Sequence, residues 1–380
     1  MARATDEPEP AAALVAVPAG LVYVSDTMPG HRRVRRGQGF AYRGPDGVLL
    51  RDRHEVDRIR RLAIPPAYQD VWICPLVNGH LQATARDARG RKQYRYHALW
   101  NAQRGDDKFE RMQSFGKALP RIRSRIARDL REAPRSVLPQ TLVLATLVRL
   151  LDTTFVRVGN DEYARSNGSF GLTTLRNRHA EVRGSLLRLT FKGKSGVQQQ
   201  TSLDDPRIAR IVRRLQQLPG QELFQYEDEN GATHGIDSAD VNEYLAEITG
   251  DRFTAKDFRT WHGSVQALEL TRLACAAEAA AAGVAASAKD VLAAVAKRLG
   301  NTPAVARKSY IHPQVLELGS LIKGAADSRA ELCVRLHDAA RPRRGLQASE
   351  CRLLGLLEER SNTRRRRKPA LASARGQEKE

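Results

Sequence analysis

The sequence lacks the pairings that mark a metal ribbon or a disulfide framework. Its four cysteines, Cys74, Cys275, Cys333 and Cys351, are scattered with no CxxC pair, which leaves them as reduced structural thiols. No apolar run reaches the length of a membrane span, since the alanine-rich stretch from Ala274 to Ala288 is interrupted by Glu278. The start, Met1 to Pro10, is acidic and proline-containing, unlike a secretory leader, so a cytoplasmic chain is expected. There is no internal repeat. A Gly-Lys-Ser run at 193–195 lacks the earlier glycine of a P-loop, because that position is Arg188, so ATP binding has no support there. Acidic residues are in deficit: 43 Asp and Glu stand against 63 Lys and Arg, a formal net charge of +20. Such a field favours a polyanionic partner, nucleic acid ahead of an anionic membrane.

What is present is enough for a real core: 380 residues, 41% of them hydrophobic, suit two or three domains. Residues 1–18 are rich in Pro, Ala and acid and read as a flexible arm. Over 19–104, LVYVSD, GFAYRGPDGVLL and VWICPLVNGHLQATARDARGRKQYRY alternate apolar with polar residues between Gly, Pro, Asp-Gly and Asn-Gly signals. This predicts a small β-rich domain, with one helix at EVDRIRRLAI. Ten arginines against four acids between His31 and Arg61 are a solvated face or a set of phosphate contacts. Over 105–345 the spacing turns helical, near 107–132, 139–152, from Pro206, Ser238 to Ile248, Trp261 to Ala282 and Ala288 to Leu299. HAEVRG, LLRLTF and VQQQTSL interrupt it as three short strands. Residues 346–380, whose last stretch from Ser361 to Glu380 holds RRRRK and few apolar residues, read as a loose basic tail adding salt-sensitive affinity for DNA. The fold class is α+β, a small β-rich N-terminal domain followed by a mainly α-helical one carrying a three-stranded sheet.

Two stretches carry chemistry. RGRKQYRYHALW interleaves Arg91, Lys92 and Gln93 with Tyr94 and Tyr96; on a strand the two tyrosines share a face, offering aromatic groups beside charge for a duplex. An ordinary amphipathic edge strand accounts for this stretch equally well. In LGNTPAVARKSY, Gly300 suits a helix end, Thr302-Pro303 a helix start and His312-Pro313 a stop, so Tyr310 ends a short helix where its hydroxyl can face a phosphate. Taken alone, a tyrosine with a satisfied hydroxyl is the simpler account.

The order Arg157 in FVRVGNDEY, Lys194 in FKGKSG, Arg259 in KDFRTWHGS and Tyr310 nine residues after Asn301 resembles the catalytic set of type IB DNA topoisomerases, most closely the poxvirus-type and bacterial branch. GRKQYRY resembles that family's DNA-contacting strand, so the likeness runs from about residue 20 to 325. It implies a C-shaped clamp, a monomer around double-stranded DNA in the nucleoid, that relaxes positive and negative supercoils through a 3′-phosphotyrosyl intermediate without ATP, metal or other cofactor. Guanidinium forks at Arg157 and Arg259 suit the charge that builds on nonbridging oxygens, and Lys194 is the candidate acid for the departing 5′ oxygen. Asn301 departs from the family pattern, since many members carry histidine there; an amide donates a hydrogen bond but shuttles no proton. Tyr163 matches a family position near the scissile phosphate, and Lys256 lies three before Arg259. The alternative is a tyrosine recombinase or integrase, which usually has histidine at the position of Lys256 and a helical N-terminal domain. A noncatalytic basic DNA-binding protein is the other.

Overall fold

The structure is a computed structural model that describes residues 18–88, 90, 92–132, 137–161, 164–165, 168–279, 287–321, 333–334, 336 and 341–359. The chain divides into two compact units, Met1–Phe109 and Glu110–Glu380.

In the first unit, β1 (His31–Arg36), β2 (Gly39–Arg43), β3 (Gln69–Ile73), β4 (Leu81–Arg86) and β5 (Lys92–Tyr96) form one antiparallel sheet in the order β2-β1-β3-β4-β5. Helix α1 (Arg53–Arg61) starts at Asp52, whose carboxylate accepts from the His54 amide. Strand alternation divides the apolar residues between two faces. Val71 and Ile73 join Ile59 of α1, Ala83 and Ala85 in one cluster; Trp72 and Cys74 join Val24 and Leu81 in the other. LVYVSD, expected as a strand, contributes only a bridge from Val22 to Gly79. Two of the arginines between His31 and Arg61 are held by the fold itself. Arg33 donates to the Ile64, Pro65 and Tyr68 carbonyls and lies 4.1 Å over the Phe40 ring, and Arg58 donates to Glu55, Gln82 and the Cys74 carbonyl. The other eight are exposed, which leaves this unit a basic surface.

Helix α2 (Ala98–Glu132) enters the second unit at Glu110. Helix α3 (Gln140–Thr154) is buried along most of its length, from Leu142 to Asp152, and packs against α5 (Ser238–Thr249) and α6 (Ala255–Ala279). Between them β6 (Ala180–Arg183), β7 (Leu186–Lys192) and β8 (Gln198–Asp204) form the expected three-stranded antiparallel sheet, with Lys194–Gly196 at the β7–β8 tip. Helix α4 (Pro206–Leu215) follows, with Asp205 as its cap. A small two-stranded sheet of β9 (Gln225–Glu227) and β10 (Thr233–Gly235) was not expected, because three-residue strands are too short to show a period. Helices α7 (Ala288–Leu299), α8 (Pro303–Ser309) and α9 (Pro313–Leu321) complete the run. The Ser287–Asp290 capping box opens α7, Gly300 closes it at φ +58°, and Thr302 caps α8 with Pro303 in its first turn.

A last helix, α10, spans residues 348–359 and corrects the reading of everything beyond 346 as loose tail. Cys351, Leu353, Leu354, Leu356 and Leu357 are buried along it, and Glu350 is only 1% exposed. Ion pairs tie α10 to α2 through Arg123–Glu350 and Lys117–Glu358, and to α6 through Arg352–Glu269. The RRRRK end lies outside the described residues. Among the described residues, no helix is long and apolar enough to cross a membrane.

Candidate active site

Three helix ends and a hairpin tip converge in the second unit. Helix α3 stops at Phe155, which adopts a left-handed conformation at φ +60°, a strain of about 1–2 kcal/mol for a residue with a Cβ. Its ring is held between His262, 4.5 Å away, and the Arg298 guanidinium, 4.7 Å away. The turn sends the Phe155 carbonyl to Nη1 of Arg259, while the Leu299 carbonyl at the end of α7 accepts from Nη2 at 2.7 Å. Both are uncapped helix C-terminal carbonyls, which favour a cation. Arg259, 4% exposed, is thereby fixed 5.0 Å from the centre of the Tyr310 ring.

Arg157, two residues beyond Phe155, donates from Nη2 to the Gly300 carbonyl at 3.2 Å and to Oδ1 of Asn301. With its oxygen engaged, Asn301 presents its amide nitrogen. That Nδ2, like Nε of Arg259, is buried with no hydrogen-bond partner among the described residues, and two buried donors without acceptors suit an anion. Tyr310 ends α8, its amide bonded to Ala306 and its carbonyl accepting from the Ser264 hydroxyl at 3.1 Å. The same Ser264 oxygen accepts from the His312 amide at 2.9 Å, so α6 holds the backbone on both sides of Ile311.

The charges act on one another. Burial raises the Tyr310 phenol pKa, but the Arg259 charge and hydrogen bond, with the charges of Arg157 and Lys256, outweigh it and leave the phenol below its usual value. Burial pushes Arg259 down to about 10, helped by Arg157 and opposed by Tyr310; burial also lowers Arg157, against the pull of Tyr310.

A cleft of about 1000 Å³ is lined by Arg157, Lys194, Asn301 and Tyr310 together, with Arg259 behind the tyrosine ring. Lys194 is exposed at the hairpin tip, next to Ser195 at φ +64°. Lys256 is exposed in the first turn of α6. The structure thus brings together five dispersed residues of the sequence pattern. Tyr163 and Arg91 lie outside the described residues. In the first unit, β5 divides its residues by face. Tyr94 and Tyr96 stack at 6.0 Å, with the Lys92 ammonium 5.6 Å from the Tyr94 ring and paired to Asp26 at 2.6 Å. Gln93, at the intervening position, donates to Asp87 at 3.0 Å. Sequence reasoning missed Phe155, His262 and Ser264, although the last two stand in the motif KDFRTWHGS.

Residues 94–334 match the family described as eukaryotic DNA topoisomerase I, catalytic core, and residues 39–87 match that described as bacterial DNA topoisomerase IB, N-terminal domain. The chain is 31% identical over 298 residues to DNA topoisomerase 1B of Acanthamoeba polyphaga mimivirus, an alignment covering 77% of this chain and 88% of that protein. The chain belongs to the type IB DNA topoisomerase family. It is therefore an enzyme of the isomerase class, and the two matches fall on different parts of the chain: the N-terminal one lies within the sheet unit, the catalytic-core one contains every residue of the cleft. The topoisomerase core match ends at 334, short of α10. Helix α10 belongs to the same compact unit as the cleft.

Proposed function

We propose that this topoisomerase relaxes positive and negative supercoils by attack of the Tyr310 phenol oxygen on a DNA phosphodiester. The P–O5′ bond breaks as the phenol oxygen bonds to phosphorus, giving a 3′-phosphotyrosyl ester and a free 5′ hydroxyl. Charge on the nonbridging oxygens is met by Arg157, by Arg259 and by Nδ2 of Asn301. The 5′ oxygen takes its proton from Lys194, while the phenol proton passes to solvent in the open cleft, from which the lysine is reprotonated. Ester replaces ester at nearly equal energy, so religation needs no ATP, and the guanidinium charges take the place of a metal ion. The observation that carries the reading is the phenol, lowered in pKa by two guanidinium groups, in a cleft shared with a lysine and a buried unpartnered amide. The β-rich domain at 19–104 contacts duplex DNA through Lys92, Tyr94 and Tyr96, and the enzyme acts as a monomer closed around the duplex.

The direct test is relaxation of plasmids of either supercoil sign, with chelator and without ATP, stopped with detergent. Relaxation of both, with protein on the 3′ DNA end, is the expected result; adducts on the 5′ end or a requirement for ATP would overturn it. Lys194→Ala slows cleavage about 10²–10⁴-fold, the usual contribution of a general acid. It recovers on a substrate with sulfur in place of the bridging 5′ oxygen, since thiolate leaves without a proton; no recovery moves the acid elsewhere. Asn301→His, which keeps a donor, retains substantial cleavage, whereas Asn301→Ala loses about 10-fold or more, in the range of a lost hydrogen bond to a charged group. An alanine variant as active as the parent would remove Asn301 from the site.

A further inference from the structure

Three consecutive glutamines, Gln198, Gln199 and Gln200, open β8. Strand alternation exposes the outer two and turns Gln199 inward. It pairs with Phe191 across the hairpin, and its side chain runs between two glycines. At Gly193, the residue before Lys194, an added Cβ would lie 2.8 Å from Cγ of Gln199. At Gly300, the residue before Asn301, an added Cβ would lie 2.4 Å from Nε2 and 2.6 Å from Oε1 of the same side chain. Gly300 is otherwise fixed as the left-handed end of α7 and as an acceptor for Arg157. Gly193 closes the hairpin, its amide donating to Val197 at 2.8 Å and its carbonyl accepting from Gly196 at 3.0 Å. The two backbones are thus spaced by one side chain, in room that only a missing Cβ on each leaves open.

We infer that Gln199 is a positioning residue for Lys194: its side chain holds the β7–β8 tip at a set distance from the Gly300–Asn301 turn and so places the ammonium in the Tyr310 cleft. The inference rests on Lys194 acting in cleavage, as proposed above. The hairpin tip is exposed, and a side chain filling the gap adds a constraint on its approach that the strand pairing behind it does not supply. A displacement of about 1 Å at a reacting group can cost about 10²-fold in rate.

The test is a double-mutant cycle on the single-turnover cleavage rate of the full chain. Gln199→Ala alone slows cleavage about 10–100-fold. Gln199→Met, which fills the same length without the amide, stays within about 3-fold of the parent, because filling the gap rather than hydrogen bonding is what matters. In a Lys194→Ala background, adding Gln199→Ala changes the rate less than about 2-fold, since a residue acting through Lys194 has nothing left to place. Additive losses in the cycle, an unaffected Gln199→Ala, or a methionine variant as slow as alanine would each overturn the inference. The sulfur-bridged substrate keeps the two readings apart: failure to rescue Lys194→Ala removes the general-acid role, while the cycle still reports whether Gln199 works through that lysine.

Discussion

Tyr310→Phe abolishes cleavage and relaxation, by more than about 10⁴-fold, while noncovalent DNA binding stays within about 2-fold. The substitution removes one oxygen and little else. The phenyl ring keeps its place 5.0 Å from Arg259, the Ser264 hydroxyl still donates to the backbone carbonyl of residue 310, and the amide still closes α8 on Ala306. The phenol oxygen's interaction with Arg259 is lost with it, but the Arg157 and Arg259 guanidinium groups keep their backbone carbonyl partners and remain available to a phosphate. The measurement is adduct formation under single turnover beside equilibrium binding at one stated salt concentration, because affinity for a polyanion falls steeply with salt. Persistent adducts in the phenylalanine variant would place the nucleophile elsewhere. Loss of binding in step with cleavage would mean that the oxygen served the ground-state complex rather than the attack.

The turn that carries Tyr310 was legible because its signals are local. Gly300, Thr302 and Pro303 each act on the backbone within one turn of themselves, and all three do so in the fold. The two faces of β5 were legible for the same reason, since period-two alternation needs no partner. Phe155 could not be read in this way. A left-handed helix end announces itself with glycine or asparagine, whereas here a phenylalanine is held there by His262 and Arg298, which are distant in sequence. Gln199 has the same character, because its meaning lies in two glycines on other segments. Helix α10 was misread because the arginine-rich end beside it dominates composition, while what orders it is a carboxylate at 350 meeting a guanidinium at 123. No window along the sequence contains both.

That same pair governs the second large effect, a loss of stability of about 3–5 kcal/mol in Arg123→Ala. Arg123 donates from Nε and Nη2 to Asp152 at 2.8 and 3.0 Å and from Nη1 and Nη2 to Glu350 at 2.7 and 2.8 Å. Asp152, 5% exposed, also meets His262 Nε2 at 2.9 Å, and Glu350, 1% exposed, accepts from the Trp261 indole at 3.3 Å. One guanidinium therefore joins α2, α3 and α10, and its carboxylate partners reach α6 on either side of the Trp261–His262 step. Burial raises both carboxyl pKa values, but His262 and Arg123 outweigh it at Asp152, and Arg123 does so at Glu350, leaving each below the ordinary range. Carboxyls lowered on folding contribute stability that is present above their unfolded values near 4 and lost as pH falls through the lower folded values. Without Arg123 burial is left largely unopposed at Glu350, while Asp152 keeps only His262 against it; both pKa values rise, and the acids become cheaper to bury as they protonate. The deficit of Arg123→Ala against the parent, measured by urea unfolding, is accordingly largest at pH 7 and shrinks toward pH 4. Truncation before residue 346 removes Glu350 and the leucine face of α10 together and destabilises the cleft-bearing unit at least as much, while removal of residues 361–380 leaves the network whole. A deficit below about 1 kcal/mol with the parent's pH dependence would show that water screens the pair as it screens a surface ion pair, and that apolar packing alone orders α10 behind the active site.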